Sequence, residues 1–244
     1  MLYRPEDFEP LIDEPWDAER IRAGIREIVA DADASFRGPK LLWRADEWDR
    51  WRATSPLKTL YCGASGVVWA LDELRRRYHA ETALDLADVA LRTLERQRSR
   101  PESGTKAMSA IPLPEPRESS LLCGEAGVLL VAYRLAPSDV LADALLERVR
   151  ANASNAVWEL MWGSPGTLVA ARLMHGWTGD ARWEAAWDGS ARALLDARDA
   201  DGLWAQQLYG HTEHILGPAH GFVGNVLALC QGLDASRRAV LEQD

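Results

Sequence analysis

Long hydrophobic runs are what this 244-residue sequence most clearly lacks. No apolar segment approaches the ~18 residues of a membrane-spanning helix, so no span is expected. The start, Met1-Leu2-Tyr3-Arg4-Pro5-Glu6, sets no basic stretch ahead of an apolar one, so no secretory signal is expected either. Cysteine is scarce. Cys62, Cys123 and Cys230 make no disulfide framework, which predicts a reduced, cytoplasmic compartment. Positive charge is short: 28 Lys and Arg face 37 Asp and Glu, for a net charge of −9. That balance excludes the cation clusters that nucleic acids and anionic membranes require. Arg75-Arg76-Arg77, the one basic run of three, ends a helical pattern, where cations suit the helix dipole. Alternating β-branched strands are scarce as well, which points away from a sheet protein.

What is present is a globular composition, 47% hydrophobic and 27% charged, on a chain long enough to bury a sizeable core. Eleven tryptophans suit packing between helices. Four short glycine motifs organise the rest: Gly63-Ala64-Ser65-Gly66, Gly124-Glu125-Ala126-Gly127, Gly163-Ser164-Pro165-Gly166 and Gly221-Phe222-Val223-Gly224. Each opens a nearly unbroken apolar run, and four such openings make an internal repeat.

Amphipathic segments alternate with these runs. Leu84, Ala87, Leu91 and Leu94 step at helical spacing; so do Leu141, Ala144, Leu145 and Val149 after Ser138-Asp139, and Trp183, Trp187, Ala191 and Leu194 after Gly179-Asp180. The apolar helices are expected to be buried all round and the amphipathic ones to face solvent on one side. A further helix is predicted from Pro15 to Phe36, with Pro15 in its first turn and Ile21, Ile25, Val29 and Ala32 on one face. A Trp-rich stretch, Leu41 to Trp51, leads into the first motif. Ser99 to Ser120 carries four prolines and reads as a long loop, either a tolerated insertion or a lid or partner-binding segment. Gly202 to Gly210 reads as a short hairpin. The expected fold is all-α: a single domain over 1–244, with residues 1–55 as an N-terminal helical extension and 99–120 as the long loop. Its architecture is an incomplete α/α toroid of the six-hairpin type, with about four inner and outer helix pairs. The glycines permit unusual backbone angles and close approach, and the turns leave backbone N–H groups pointing at a shared site.

The residues just before the four motifs are Cys62, Cys123, Trp162 and His220. Two thiols and an imidazole at equivalent positions admit a zinc reading, or a small side chain packed beside a glycine turn. His220, held by Gly217-Pro218-Ala219, is either a proton donor and acceptor or a structural imidazole capping a loop carbonyl. Glu159, four residues ahead of Gly163, either orients a histidine or acts as a base, or is an exposed helix charge. His211 and His214 are expected to face solvent.

The repeat, the Glu159-Leu160-Met161-Trp162-Gly163-Ser164-Pro165-Gly166 string and the Gly217-Pro218-Ala219-His220-Gly221-Phe222-Val223-Gly224 string together resemble the lanthionine synthetase C-like (LanC-like) family, from about Tyr61 to Gly232. The resemblance implies an α/α toroid of six helix pairs with a central zinc ion. It implies enzymes that add a cysteine or glutathione thiol to a dehydrated peptide or protein, giving a thioether. The Glu-x-x-x-Gly spelling is closer to the relatives that use glutathione than to lantibiotic cyclases. Carried over, His220 and Glu159 are the catalytic residues that manage the enolate proton. The family's zinc ligands lie in Trp-Cys-x-Gly and Cys-His-Gly strings of its fifth and sixth repeats, and neither string occurs here, so no metal ligand is assigned. The expectation is a LanC-like chain with the first four of six repeats, a fragment or a degenerate member, inactive in cyclisation as it stands. Its end pairs would expose apolar flanks and favour self-association.

Two other functions fit the same pattern. A carbohydrate-active toroid would use Glu125 and Glu159 as its acids, and Trp162, Trp204 and Tyr209 are the aromatics expected to line the substrate cleft. A non-catalytic binding module would use the 99–120 loop and an open flank.

Overall fold

The computed structural model describes residues 14–44, 56–102 and 117–230. The start of the N-terminal extension, the Trp-rich stretch beyond Arg44, most of the proline-rich segment and the chain after Cys230 lie outside the described residues. Regular structure in the described residues is eight α-helices, a 3₁₀ turn at Arg117–Ser119 and one small hairpin, so the fold is all-α.

Helix α1 covers Ala18–Ser35. Its cap is Asp17, whose carboxylate accepts from the N–H groups of Glu19 (2.9 Å) and Arg20 (3.1 Å). Pro15 therefore precedes the helix and does not sit in its first turn. The remaining helices are α2 (Ala64–Tyr78), α3 (Leu86–Ser99), α4 (Glu125–Leu135), α5 (Asp139–Asn152), α6 (Ser164–Thr178), α7 (Ala181–Asp196) and α8 (Phe222–Cys230). From α2 on, the even-numbered helices each start one residue after the first glycine of a motif. The odd-numbered ones start at polar caps: Asp85, Ser138 and Asp180 each accept backbone N–H groups through their side chains.

The glycines act by size and not by unusual angles. Gly63, Gly124 and Gly163 have φ of −126°, −123° and −89°, extended values open to any residue. A Cβ on Gly63, Gly163 or Gly221 would nonetheless lie 2.3, 2.8 or 1.8 Å from backbone atoms of Lys58, Glu159 and Ile215, and the second glycines are as tightly placed. A Cβ on Gly66, Gly127, Gly166 or Gly224 would lie 2.4, 2.0, 2.2 or 2.2 Å from the carbonyl oxygen six residues back, on Leu60, Leu121, Leu160 and Pro218. The same imagined Cβ atoms meet the preceding repeat: Gly127 faces Leu60 Cβ at 2.9 Å, Gly166 faces Leu121 Cβ at 3.1 Å and Gly224 faces Leu160 Cβ at 3.5 Å. One interlocking contact thus recurs from each repeat to the next.

Backbone hydrogen bonds join the same segments in order. Tyr61 N–H donates to Leu122 C=O at 2.9 Å, Leu122 N–H to Met161 C=O at 3.4 Å, and Leu160 N–H to Ala219 C=O at 3.2 Å. Each even-numbered helix from α2 packs on the next, and α3, α5 and α7 pack against them. Not all helix-start N–H groups are left open. Ala64 and Ser65 donate to the carbonyls of Leu57 and Lys58, and Phe222 and Val223 to those of Ile215 and Leu216. The incoming chain folds back over the start of α2 and α8 and takes these donors itself.

Position in the row decides burial. In α4, Glu125 to Ala132 are all buried, between neighbours on both sides. The end helices are not buried all round: Ala70 of α2 is exposed, and on α8 Val223 and Leu227 are 51% and 50% exposed. In α5 and α7 the apolar faces read from sequence point inward, with Trp183 and Leu194 almost fully buried. In α3 the phase differs. The inward face is Leu86, Val89, Ala90, Thr93, Leu94 and Gln97, while Leu91 is exposed. A pattern counted on apolar residues alone passes over Thr93 and Gln97, which the interior includes. The described helices include none long and apolar enough to cross a membrane.

Strands β1 (Gln206–Leu208) and β2 (His211–Glu213) pair antiparallel, with Leu208 opposite His211. Their two-residue turn is Tyr209-Gly210, with φ of 54° and 82°. Two consecutive positive φ values are the mark of a type I′ turn, whose twist suits a hairpin.

Candidate functional site

The site forms where the segments leading into α4, α6 and α8 meet. Its centre is Glu159, which is fully buried. A buried carboxylate costs several kcal/mol unless it is bonded on most sides. Here the chain turns tightly between Glu159 and Gly163 and wraps its own N–H groups around the side chain. One oxygen accepts from Trp162 N–H and from Gly163 N–H (3.2 Å); the other accepts from Met161 N–H (2.9 Å) and from His220 Nδ1 (2.8 Å). A Cβ on Gly163 would lie 2.8 Å from the Glu159 backbone nitrogen, so only glycine closes this turn. Glu159 thus holds a histidine, one of the roles expected of it, and is not an exposed helix charge.

His220 completes the pair. An ionised carboxylate only accepts, so the network assigns the imidazole proton to Nδ1 and leaves Nε2 free as base or acid. Its side chain retains 29% exposure, enough for a substrate to reach it. The Tyr209 ring stands edge-on to it, centroids 6.1 Å apart. Burial pushes the Tyr209 phenol up, the Glu159 charge adds to this, and the Trp162 indole N–H beside it acts in the opposite sense. Tyr209 is held in left-handed backbone conformation, an uncommon state for a bulky residue. Trp162 is buried with Val157, Met161 and Leu208 next to the turn. Trp162 and Tyr209 therefore lie beside the Glu159–His220 pair.

Trp204 does not face a substrate cleft at the pair. It is 2% exposed, donates its indole N–H to Leu194 C=O at 2.6 Å, and packs on Phe222. It is a core residue that ties the hairpin to α7. Glu125 is also committed elsewhere: Arg98 of α3 binds one of its oxygens at 2.7 Å and Arg148 of α5 the other. His211 and His214 are exposed, as the sequence reading has them.

Cys123 packs against the cluster of Val157, Met161, Trp162 and Leu208. Burial pushes the Cys123 thiol well up, and Cys62, Glu159 and Glu102 add to the effect by their charge. Cys62, Cys123 and His220 nevertheless do not converge to metal-binding distance. Among the described residues, the group whose ligand atoms all lie within 4.8 Å of one another is Asp199, Asp201 and His214, exposed beside the hairpin.

Several supporting residues carried no obvious sequence signal. Glu102 is buried and accepts from Thr59 Oγ1 at 3.0 Å, from the N–H groups of Lys58 and Thr59, and faces Lys58 Nζ at 3.8 Å. Burial lowers the Lys58 pKa, an effect that Glu102 opposes. Trp158 has φ of 46°, and its carbonyl accepts from Asn225 Nδ2 (2.8 Å) and Gln206 Nε2 (3.3 Å), which fixes the chain just ahead of Glu159. Asn225 was detectable as the polar residue that opens an otherwise apolar run. Comparison with models of known protein families finds no match, and neither does a search of curated proteins.

Proposed function

We propose that the chain is a LanC-like protein, an arc of about two-thirds of an α/α toroid, whose mouth site handles the proton when a cysteine or glutathione thiol adds to a dehydroamino acid. The observation that carries the reading is the Glu159–His220 pair. The two strings that resemble the family supply these two residues, and they meet at 2.8 Å with the carboxylate fully buried. The inner helices, interlocked mouth to mouth, support the arc.

The dyad balances the addition by itself. Nε2 of His220 takes the thiol proton, and the sulfur bonds to the β-carbon of the dehydroalanine. The alkene electron pair moves into the enolate, and the imidazolium returns the proton to the α-carbon. Glu159 holds the ring by Nδ1 and stabilises its positive charge. Tyr209 and Trp162 flank the approach. In the family a zinc ion, when bound, lowers the thiol pKa. Cys62, Cys123 and His220 do not fit such a centre, and no step here passes through one. Thiol activation then falls to imidazole alone, so the chain as given is inactive in cyclisation. The dyad's own contribution is read instead with a small thiol in excess near pH 7, where most of a free thiol keeps the proton that Nε2 takes.

The test is thiol addition to a dehydroalanine peptide near that pH. The expected result is a rate on the order of 10² above buffer, lost in His220→Ala. Equal rates for wild type and His220→Ala would sink the proposal. A sugar-active reading lacks comparable support, since it needs a second carboxylate across the cleft and Glu125 is bound between Arg98 and Arg148.

A further inference from the structure

We propose that Cys62 and Cys123 form a modification site, a thiol pair that closes to a reversible intramolecular disulfide by exchange with a small disulfide such as oxidised glutathione. The inference stands independently of the thioether reading. Both residues occupy the same position, one before the first glycine, in neighbouring repeats. The backbones are joined one residue earlier, where Tyr61 N–H donates to Leu122 C=O at 2.9 Å. Two chains joined by a backbone hydrogen bond lie about 5 Å apart at that bond, and a disulfide one residue on needs a Cα separation of roughly 4.4–6.8 Å. The close approach of Gly127 to Leu60 holds the two turns in register. Neither cysteine is in a disulfide, both are half-buried, and the Cys62 charge acts on Cys123.

In the exchange the Cys62 thiolate attacks one sulfur of the glutathione disulfide, and the other glutathione leaves as a thiolate. The Cys123 thiolate then attacks the Cys62 sulfur of the mixed disulfide and expels the second glutathione. The protein pair gives up two electrons and two protons, which appear in two glutathione thiols. Burial, then the charges of Cys62, Glu159 and Glu102, push the Cys123 thiol up, so the resolving step quickens as pH rises. Cys230 serves as an internal control, since it ends α8 and the mouth lies at that helix's start.

The experiment equilibrates the full chain, folded, in glutathione buffers of rising oxidised fraction. Thiols are then trapped by alkylation and the protein is read by intact mass and peptide mapping. The expected product has lost two hydrogens, takes one alkyl group in place of three, and yields a linked Cys62–Cys123 peptide that dithiothreitol releases. Cys123→Ser is expected to stop at a glutathione adduct on Cys62, and Cys230→Ser to give the same link as wild type. The proposal is overturned if the oxidised wild type still takes three alkyl groups, keeps glutathione as mixed adducts, or bridges through Cys230.

Discussion

Replacing Gly127 with alanine tests the interlock between repeats. The new Cβ would lie 2.0 Å from the Leu121 carbonyl oxygen and 2.9 Å from Leu60 Cβ, where ordinary contact begins near 3.4 Å. Relief requires the chain to shift by more than about 1 Å, against backbone on one side and the neighbouring repeat on the other. Overpacking costs about 1–3 kcal/mol when side chains can yield. An obstacle made of backbone raises this to roughly 3–5 kcal/mol, the upper end of single-residue effects. In a chain of this size that corresponds to a loss of about 6–20 °C in Tm. Gly24, inside α1, is the control, because its Cβ would meet nothing within 4 Å. Gly24→Ala should stabilise by about 0.5–1 kcal/mol through helix propensity. Urea and thermal unfolding followed by circular dichroism compare the two. The reasoning is refuted if Gly127→Ala unfolds at the same midpoint as Gly24→Ala.

Three further outcomes follow from named contacts. Glu159→Ala removes the acceptor of the Met161 and Trp162 N–H groups and of His220 Nδ1. At about 1–3 kcal/mol for each buried donor left alone, urea unfolding should show a loss of at least about 3 kcal/mol. Trp204→Phe loses the 2.6 Å bond to Leu194, and is expected to lower stability by about 1–2 kcal/mol while leaving the His220 imidazole resonances in place. His214 is the pH-sensitive contact. Its hydrogen bond to Asp199 raises its pKa above 6.5, with Asp201 adding to it. The contact therefore contributes below pH 6.5 and is lost as pH rises through the folded value. In Asp199→Asn the His214 proton NMR titration should move to lower pH; an unchanged midpoint refutes the pairing.

Much of the architecture was legible because the repeat is written in residue size. Only glycine permits a carbonyl at the contact distances found at Gly66, Gly127, Gly166 and Gly224, so the interlock leaves a sequence trace. The polar caps Ser138 and Asp180 and the Tyr209-Gly210 turn left traces of the same kind. Glu159 and His220 were legible individually, at fixed places before their glycines; their 2.8 Å contact joins residues 61 positions apart and was not. Less was legible where tertiary context decides. Trp204 in a glycine-rich hairpin resembles a cleft residue until its indole N–H finds the Leu194 carbonyl. Leu91 and Leu94 are equivalent in a hydropathy pattern, and only the packing of α3 against α4 turns one outward. The Lys58–Glu102 contact spans 44 positions and belongs to no motif.

The state of the His220 ring bears most directly on the proposed chemistry. Nitrogen NMR of the neutral imidazole reports which ring nitrogen carries the proton. The account predicts Nδ1–H in wild type, with Nε2 unprotonated, and loss of that preference in Glu159→Gln. An Nε2–H tautomer in wild type would contradict it.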